Sequence, residues 1–102
     1  MHYLYFYVPQ DYLEKTKAAV FNAGAGKIGD YQECCWQTLG TGQFRPLAGS
    51  NPTIGGHNQL TQIDEYKVEV VCSDEVKDDV KTALLNAHPY EEVAYGFIKI
   101  ND

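Results

Sequence analysis

The stretch Gly24–Gly55, GAGKIGDYQECCWQTLGTGQFRPLAGSNPTIG, brings seven glycines, two prolines and an adjacent cysteine pair into the middle of a chain of 102 residues. Within it, the alternation in Tyr31–Leu39 (YQECCWQTL) predicts a strand. Gly40-Thr41-Gly42 is typical of a turn, and the glycines and prolines that follow as far as Leu60 predict a long connection. The stretch therefore separates one group of regular elements before it from a second group after it.

The group before it is a strand followed by a helix. His2–Val8 (HYLYFYV) is rich in aromatic and β-branched residues and ends at Pro9, which predicts a strand. Asp11 is positioned to cap a helix that continues to Ala23, and Gly24 can end that helix in the left-handed conformation.

The group after it is a strand, a helix and a strand. Glu65–Cys72 (EYKVEVVC) alternates cleanly, Ser73 is positioned to cap a helix ending near Ala87, and Glu92–Ile100 predicts a last strand. The order βαββαβ predicts an α+β, ferredoxin-like fold, in which one antiparallel sheet carries both helices on a single face. We expect one domain spanning residues 1–102.

The first strand has two unlike faces. Alternation places Leu4, Phe6 and Val8 on one face and Tyr3, Tyr5 and Tyr7 on the other. Two helices can cover only one face of the sheet, so the tyrosine face is left as a large apolar surface. We therefore expect a homo-oligomer that buries this face, with the Gly40–Leu60 excursion reaching a neighbouring copy.

Charge and composition exclude several classes of protein. The formal net charge is −6, and the eight Lys and Arg residues are scattered from Lys15 to Lys99, which argues against nucleic acid as a partner. We find no run of about 20 apolar residues and no basic leader, so we predict neither a membrane span nor a secretory signal, and we expect a cytoplasmic protein. Three cysteines are an odd number, which favours unpaired thiols over a disulfide framework.

Two motifs suggest chemistry that their context does not support. Gly24, Gly26 and Gly29 spell GxGxxG, but a helix precedes them and a strand follows, whereas a dinucleotide site needs a strand before and a helix after. We therefore predict a tight connection and no cofactor. Cys34 and Cys35, as neighbours on a strand, would point to opposite faces, so we predict inert thiols and no metal.

The segment His88-Pro89-Tyr90-Glu91-Glu92 gathers an imidazole, a phenol and two carboxylates where a helix stops and a strand begins. We name His88, Tyr90 and Glu91 as ligand-binding candidates for a small molecule or a protein partner. Two alternatives stay open. The segment can simply end the helix, or a threefold axis near His88 can gather three imidazoles around a zinc ion.

Four sequence blocks resemble the domain inserted in YqfO-like proteins, the NGG-interacting-factor-like family. The blocks are Gly24-Ala25-Gly26-x-Ile28-Gly29-x-Tyr31-x-x-Cys34, Gly40-Thr41-Gly42-x-Phe44-x-Pro46, Asn51-Pro52-x-Ile54-Gly55 and His88-Pro89-Tyr90-Glu91. The resemblance implies a stand-alone form of that domain with a CutA/PII-like fold, and an oligomer with a trimer favoured over a dimer.

The resemblance implies less about activity. Full-length members of the family carry a two-metal centre in the parts that flank this domain, and this chain lacks those parts. Cys35 and Gly96 also depart from the residues usual in the family. Because the sequence contains no recognisable catalytic set, we favour a non-catalytic binding or regulatory module. The alternative is a small metal-assisted hydrolase, related to GTP cyclohydrolase-like proteins, with a site between subunits.

Overall fold

The computed structural model describes residues 1–101. It contains four strands and two α-helices in the order βαββαβ, as predicted, and each helix follows one turn of 3₁₀ helix (Gln10–Tyr12 and Asp74–Val76). The elements are β1 (His2–Pro9), α1 (Leu13–Asn22), β2 (Trp36–Phe44), β3 (Thr61–Cys72), α2 (Lys77–Ala87) and β4 (Tyr95–Lys99).

The four strands form one antiparallel sheet in the order β2-β3-β1-β4. This is the strand order of the ferredoxin-like fold, so the predicted fold class is confirmed. The pairing of β1 with β3 ends at Pro9 and Glu65, whereas β2 and β3 stay paired as far as Phe44 and Thr61. The far end of the β2–β3 hairpin is therefore a two-stranded arm that extends beyond β1.

The core lies between the sheet and the two helices, which pack against each other. Leu4, Phe6 and Val8 of β1 are fully buried, as are Val20 of α1 and Leu84 of α2. Burying an apolar side chain of this size stabilises the folded state by about 1.5–3 kcal/mol. The apolar face of β1 that was predicted to meet the helices therefore does so.

The predicted bounds of the second strand, Tyr31–Leu39, are wrong at both ends, since the strand spans Trp36–Phe44. The strand begins at Trp36 rather than Tyr31, because Glu33 adopts the left-handed conformation (φ 58°) and a short bridge between Ile28 and Tyr31 closes a turn there. The predicted turn at Gly40-Thr41-Gly42 is also wrong, since these residues lie within β2. An edge strand tolerates glycine there because most of its side chains contact solvent.

The three glycines of the GxGxxG pattern serve the connection after α1, as predicted. All three have positive φ angles, of 114° at Gly24, 79° at Gly26 and 56° at Gly29. Gly26 is also a point of close approach, since its N–H donates to the Val71 carbonyl at 2.8 Å and its carbonyl accepts from Cys34 N–H at 2.9 Å. The loop is thus fastened to β3 by its backbone, and no helix follows it.

The predicted starts of the helices differ in detail from the structure. Neither Asp11 nor Ser73 makes a capping hydrogen bond through its side chain, and the helices begin at Leu13 and Lys77 after their 3₁₀ turns. The end of α2 at Ala87, before Pro89, agrees with the prediction. The last strand is shorter than predicted.

All three cysteines are unpaired, as predicted. The argument that placed Cys34 and Cys35 on opposite faces of a strand is wrong, because both residues precede β2. They are half-buried, and burial raises the pKa of the Cys35 thiol. No helix among residues 1–101 is long and apolar enough to span a bilayer.

Candidate functional site

A cavity lies where the β2–β3 arm leaves the end of β1. Its volume is about 550 Å³, and its walls come from β1, β2, β3, the loop 45–60 and the segment 88–94. The lining residues are Tyr7, Gly42, Gln43, Phe44, Arg45, Pro46, Leu47, Ser50, Pro52, Thr53, Ile54, Glu65, Tyr90, Glu91, Glu92 and Ala94.

The floor of the cavity is part of the tyrosine face of the sheet. Directly paired residues of an antiparallel sheet share a face, and the register therefore places Tyr7, Glu65, Gly42 and Phe44 on one side. The core-facing residues of β1 lie on the opposite side. The cavity is thus separated from the hydrophobic core by the sheet itself.

The loop 45–60 forms a second wall and is tied to the segment after α2. The N–H of Asn51 donates to both carboxylate oxygens of Glu91, at 3.0 and 3.1 Å, and the Thr53 hydroxyl donates to the Pro89 carbonyl at 2.9 Å. These bonds join parts of the chain that lie about 40 residues apart. They hold the loop over the end of the sheet and give the cavity its shape.

A phenol and a carboxylate meet inside the cavity. The Tyr90 hydroxyl donates to Oε2 of Glu65 at 3.0 Å. Burial, together with the hydrogen bond and negative charge of Glu65, raises the pKa of Tyr90 well above its ordinary value. At neutral pH Tyr90 is therefore a neutral phenol that donates its proton to the bond, and the oxygens of Glu65 have further lone pairs that can accept hydrogen bonds.

Glu65 has space for its carboxylate because residue 42 is a glycine. A Cβ atom built on Gly42 would lie 1.9 Å from Oε1 of Glu65, whereas one built on Gly40 meets nothing within 4 Å. The carboxylate therefore rests directly against the backbone of β2. Together with the bond from Tyr90, this contact fixes the position of the charge on the cavity floor.

His88 lies behind the cavity wall, not on the lining. The residue is only 6% exposed, and both ring nitrogens make hydrogen bonds. Nε2 lies 2.6 Å from the Tyr7 carbonyl, and Nδ1 lies 3.2 Å from the backbone nitrogen of Tyr90. A carbonyl can only accept and an N–H can only donate, so the ring is neutral with its proton on Nε2. Burial lowers the pKa of His88.

The sequence-derived candidates therefore separate into two roles. Tyr90 and Glu91 line the cavity, whereas His88 positions Tyr90 by bonding its backbone. Sequence reasoning missed Glu65 and the aromatic walls Tyr7 and Phe44, because only strand pairing brings them to the segment 88–94. The sequence showed Glu65 only as a carboxylate at the start of the predicted strand, and its hydrogen bond with Tyr90 appears only in the folded chain.

No group of three or more His, Cys, Asp or Glu residues within 1–101 is arranged to hold a metal ion. Both nitrogens of His88 are already used by backbone groups. A zinc ligand needs a free lone pair on the imidazole, so His88 could join a metal site only by giving up its bond with Tyr90.

We predict that His88 makes the stability of the protein depend on pH. Because burial lowers its pKa in the folded state, the unfolded chain takes up this proton at a higher pH than the folded chain does. Its contribution to the free energy of unfolding is thus complete above about pH 6.5 and declines as the pH falls below that value. Denaturant titrations from pH 8 to 5, at one protein concentration, measure this profile.

The variant His88→Gln should unfold more easily by about 1–3 kcal/mol at pH 7, and should lose this part of the pH dependence. His57→Gln is the matched control, because His57 is exposed on the loop and bonds only the Ser50 carbonyl. An unchanged profile in His88→Gln would contradict the role assigned to the buried ring.

We also predict that Gly42→Ala moves the Glu65 carboxylate away from Tyr90. The new methyl group would occupy the position of Oε1, and a glutamate side chain can move more cheaply than the backbone can. The pKa of Tyr90 should then fall toward its ordinary value, part of the way, since burial remains. Tyrosine ¹³Cζ shifts followed against pH measure it, with Tyr90→Phe assigning the signal.

Gly40→Ala is the control for this change, because it places the same methyl group in the same strand where space is open. It should leave the pKa of Tyr90 unchanged. Equal effects of the two variants would show that the contact between Gly42 and Glu65 does not control the phenol.

The chain is similar in sequence to part of several longer proteins. It is 45% identical over 94 residues to the GTP cyclohydrolase 1 type 2 homolog of Bacillus subtilis (strain 168), a match that covers 92% of this chain and 25% of that protein. The homolog of Mycobacterium tuberculosis (strain ATCC 25618 / H37Rv) is 46% identical over the same length, with the same coverage. The chain thus spans about a quarter of these relatives. No protein-family model matches it.

The solved structures agree with the sequence matches. A Bacillus cereus protein related to NIF3 superposes with a TM-score of 0.85 at 33% identity, over 99% of this chain and 26% of that one. The periplasmic divalent cation tolerance protein CutA from Archaeoglobus fulgidus superposes with a TM-score of 0.70 at 15% identity, over 100% of this chain and 86% of that one, which concerns the fold alone. The chain is therefore a relative of the domain that NIF3-related, YqfO-like proteins contain, and its fold is the CutA-like, ferredoxin-like fold.

Proposed function

We propose that this chain is a non-catalytic binding or regulatory module that holds a small organic ligand in the cavity between the β2–β3 arm and the segment 88–94. One observation carries the proposal. The cavity encloses a fixed polar pair, Tyr90 and Glu65, within walls that are mostly apolar. Small-molecule sites typically combine a volume of about 300–1,000 Å³ with apolar walls and a few oriented polar groups.

The way the cavity is built supports a regulatory role. One wall belongs to the loop 45–60 and a neighbouring wall to the segment 88–94, and the two are joined by the bonds of Asn51 to Glu91 and of Thr53 to Pro89. A ligand in the cavity would contact both walls. It would therefore stabilise the present position of the loop, and it would change the surface that the loop offers to a partner.

We predict that a neutral aromatic probe, 2-phenylethanol, shifts the amide resonances of the lining residues in ¹⁵N-labelled protein. Ala94→Trp should abolish these shifts, because the indole would fill the cavity from an exposed position on its wall. Ala18→Trp is the matched control, since Ala18 is exposed on α1, outside the lining. Shifts that survive in Ala94→Trp, or shifts spread over the whole surface, would overturn the proposal.

We further propose that the module is a homo-oligomer, with three copies favoured over two on the basis of the CutA/PII-like resemblance. The tyrosine face supports this proposal. Ile98 pairs with Tyr3, and Trp36 aligns with Tyr5 through Glu69, which extends the face across the sheet. Ile98 is 52% exposed and Trp36 is 68% exposed in the single chain. Association would remove this apolar surface from water.

Light scattering should give a multiple of 11.5 kDa at micromolar concentration. Ile98→Lys should shift the mass toward that of one chain, with a rise in the dissociation constant of about tenfold or more, because it places a charge within the buried face. Leu85→Lys is the control, since Leu85 is an exposed leucine on α2. A monomeric wild-type protein would end this proposal.

We do not extend the GTP cyclohydrolase activity in the relatives' name to this chain, because the chain spans a quarter of their length. The alternative function for this chain is a small metal-assisted hydrolase with a site between subunits, and a metal retained in the purified protein would favour it. We place the module in the cytoplasm, where thiols such as those of its three unpaired cysteines stay reduced.

A further inference from the structure

The charge on the cavity walls narrows the chemical class of the ligand. Three carboxylates line the cavity, those of Glu65, Glu91 and Glu92, against one basic side chain, Arg45. Arg45 uses Nη1 to donate to the Asn58 carbonyl at 2.8 Å. The lining therefore has an excess of negative charge, which disfavours phosphate and carboxylate ligands.

Glu65 is the carboxylate best placed to receive a ligand. Glu91 already accepts the N–H of Asn51 through both of its oxygens, and Glu92 is exposed to solvent. Glu65 is half-buried on the floor, held by the Tyr90 hydroxyl and by its contact with Gly42. A carboxylate fixed among apolar walls forms stronger interactions with a cation than one in water does.

Aromatic rings line the same cavity as this carboxylate, and one of them, Tyr90, bonds it directly. Tyr7, Phe44 and Tyr90 all line the cavity, and the ring centroids of Phe44 and Tyr90 are 6.5 Å apart. The face of an aromatic ring attracts a cation within about 6 Å of its centroid. Aromatic walls with a carboxylate at the floor are the arrangement that suits an ammonium group on an apolar body.

We propose that the ligand of this cavity is a small organic cation, an alkyl- or arylalkylammonium compound whose charged group bonds the Glu65 carboxylate while its apolar body packs against Phe44 and Tyr90. This inference rests on the proposed function, since it names the ligand class of the same cavity. Glu65 supplies the charge selectivity, and the rings supply the contact area.

Three probes of nearly equal shape test the proposal: 2-phenylethylamine, which is a cation at pH 7, 2-phenylethanol, which is neutral, and phenylacetate, which is an anion. Each is titrated into ¹⁵N-labelled protein, and the dissociation constant is taken from the shifts of the lining residues' amides. The amine should bind at least about tenfold more tightly than the alcohol, which corresponds to about 1.4 kcal/mol. Phenylacetate should bind most weakly.

Glu65→Gln separates charge from shape, because glutamine has nearly the same size and can still accept a hydrogen bond from Tyr90. This variant should weaken binding of the amine about tenfold and leave binding of the alcohol within about threefold. Glu75→Gln is the matched control, since Glu75 is exposed before α2 and outside the lining. It should change neither constant.

Two results overturn the ligand class and leave the proposed function intact: the alcohol binds in the cavity as tightly as the amine, or the amine binds Glu65→Gln as tightly as it binds the wild-type protein. A different result overturns both. If none of the three probes shifts the lining residues, the cavity is not a ligand site, and the proposed function fails with the ligand class.

Discussion

The buried ring of His88 is the constraint on which the candidate site depends. Its Nε2 bonds the carbonyl of Tyr7, which lies 81 residues earlier in the sequence, and its Nδ1 accepts a hydrogen bond from the backbone N–H of Tyr90. One neutral imidazole therefore joins the end of α2 to β1 and directs the following segment across the end of the sheet. Burial lowers the pKa of His88. A protonated ring would have no acceptor for the Tyr90 N–H, so this bond to the cavity wall requires the neutral ring.

The cavity exists because the strands differ in length. β1 ends at Pro9, and β2 and β3 continue without it, so the sheet has an uncovered corner beside Glu65. A polar side chain at such a corner can be half-buried and still reach a partner, in this case Tyr90. Gly42 belongs to the same arrangement, since any side chain there would displace the carboxylate. Two loops then close the corner, and their bonds to each other limit its volume.

The sequence predicts those elements of the fold whose pattern depends only on residues close together in the chain. The alternation in β3 and the stop before Pro89 depend on neighbouring residues, and both agree with the structure. The start of β2 does not follow from local pattern, because a left-handed Glu33 ends an apparently regular alternation. The same distinction holds for the candidate site. Tyr90 and Glu91 could be named from one short segment of sequence, whereas Glu65 becomes a site residue only through strand register.

Tyr7 connects the two proposals made for this chain. It lines the cavity and also belongs to the row of tyrosines on the uncovered face. A ligand that packs near Tyr7 therefore acts on a residue next to the surface that association would bury. If the ligand binds one assembly state more tightly than another, linkage requires that it shift the assembly equilibrium by the same factor. If both proposals hold, binding and assembly would meet at Tyr7, and a ligand of the cavity would then regulate assembly without any chemical step.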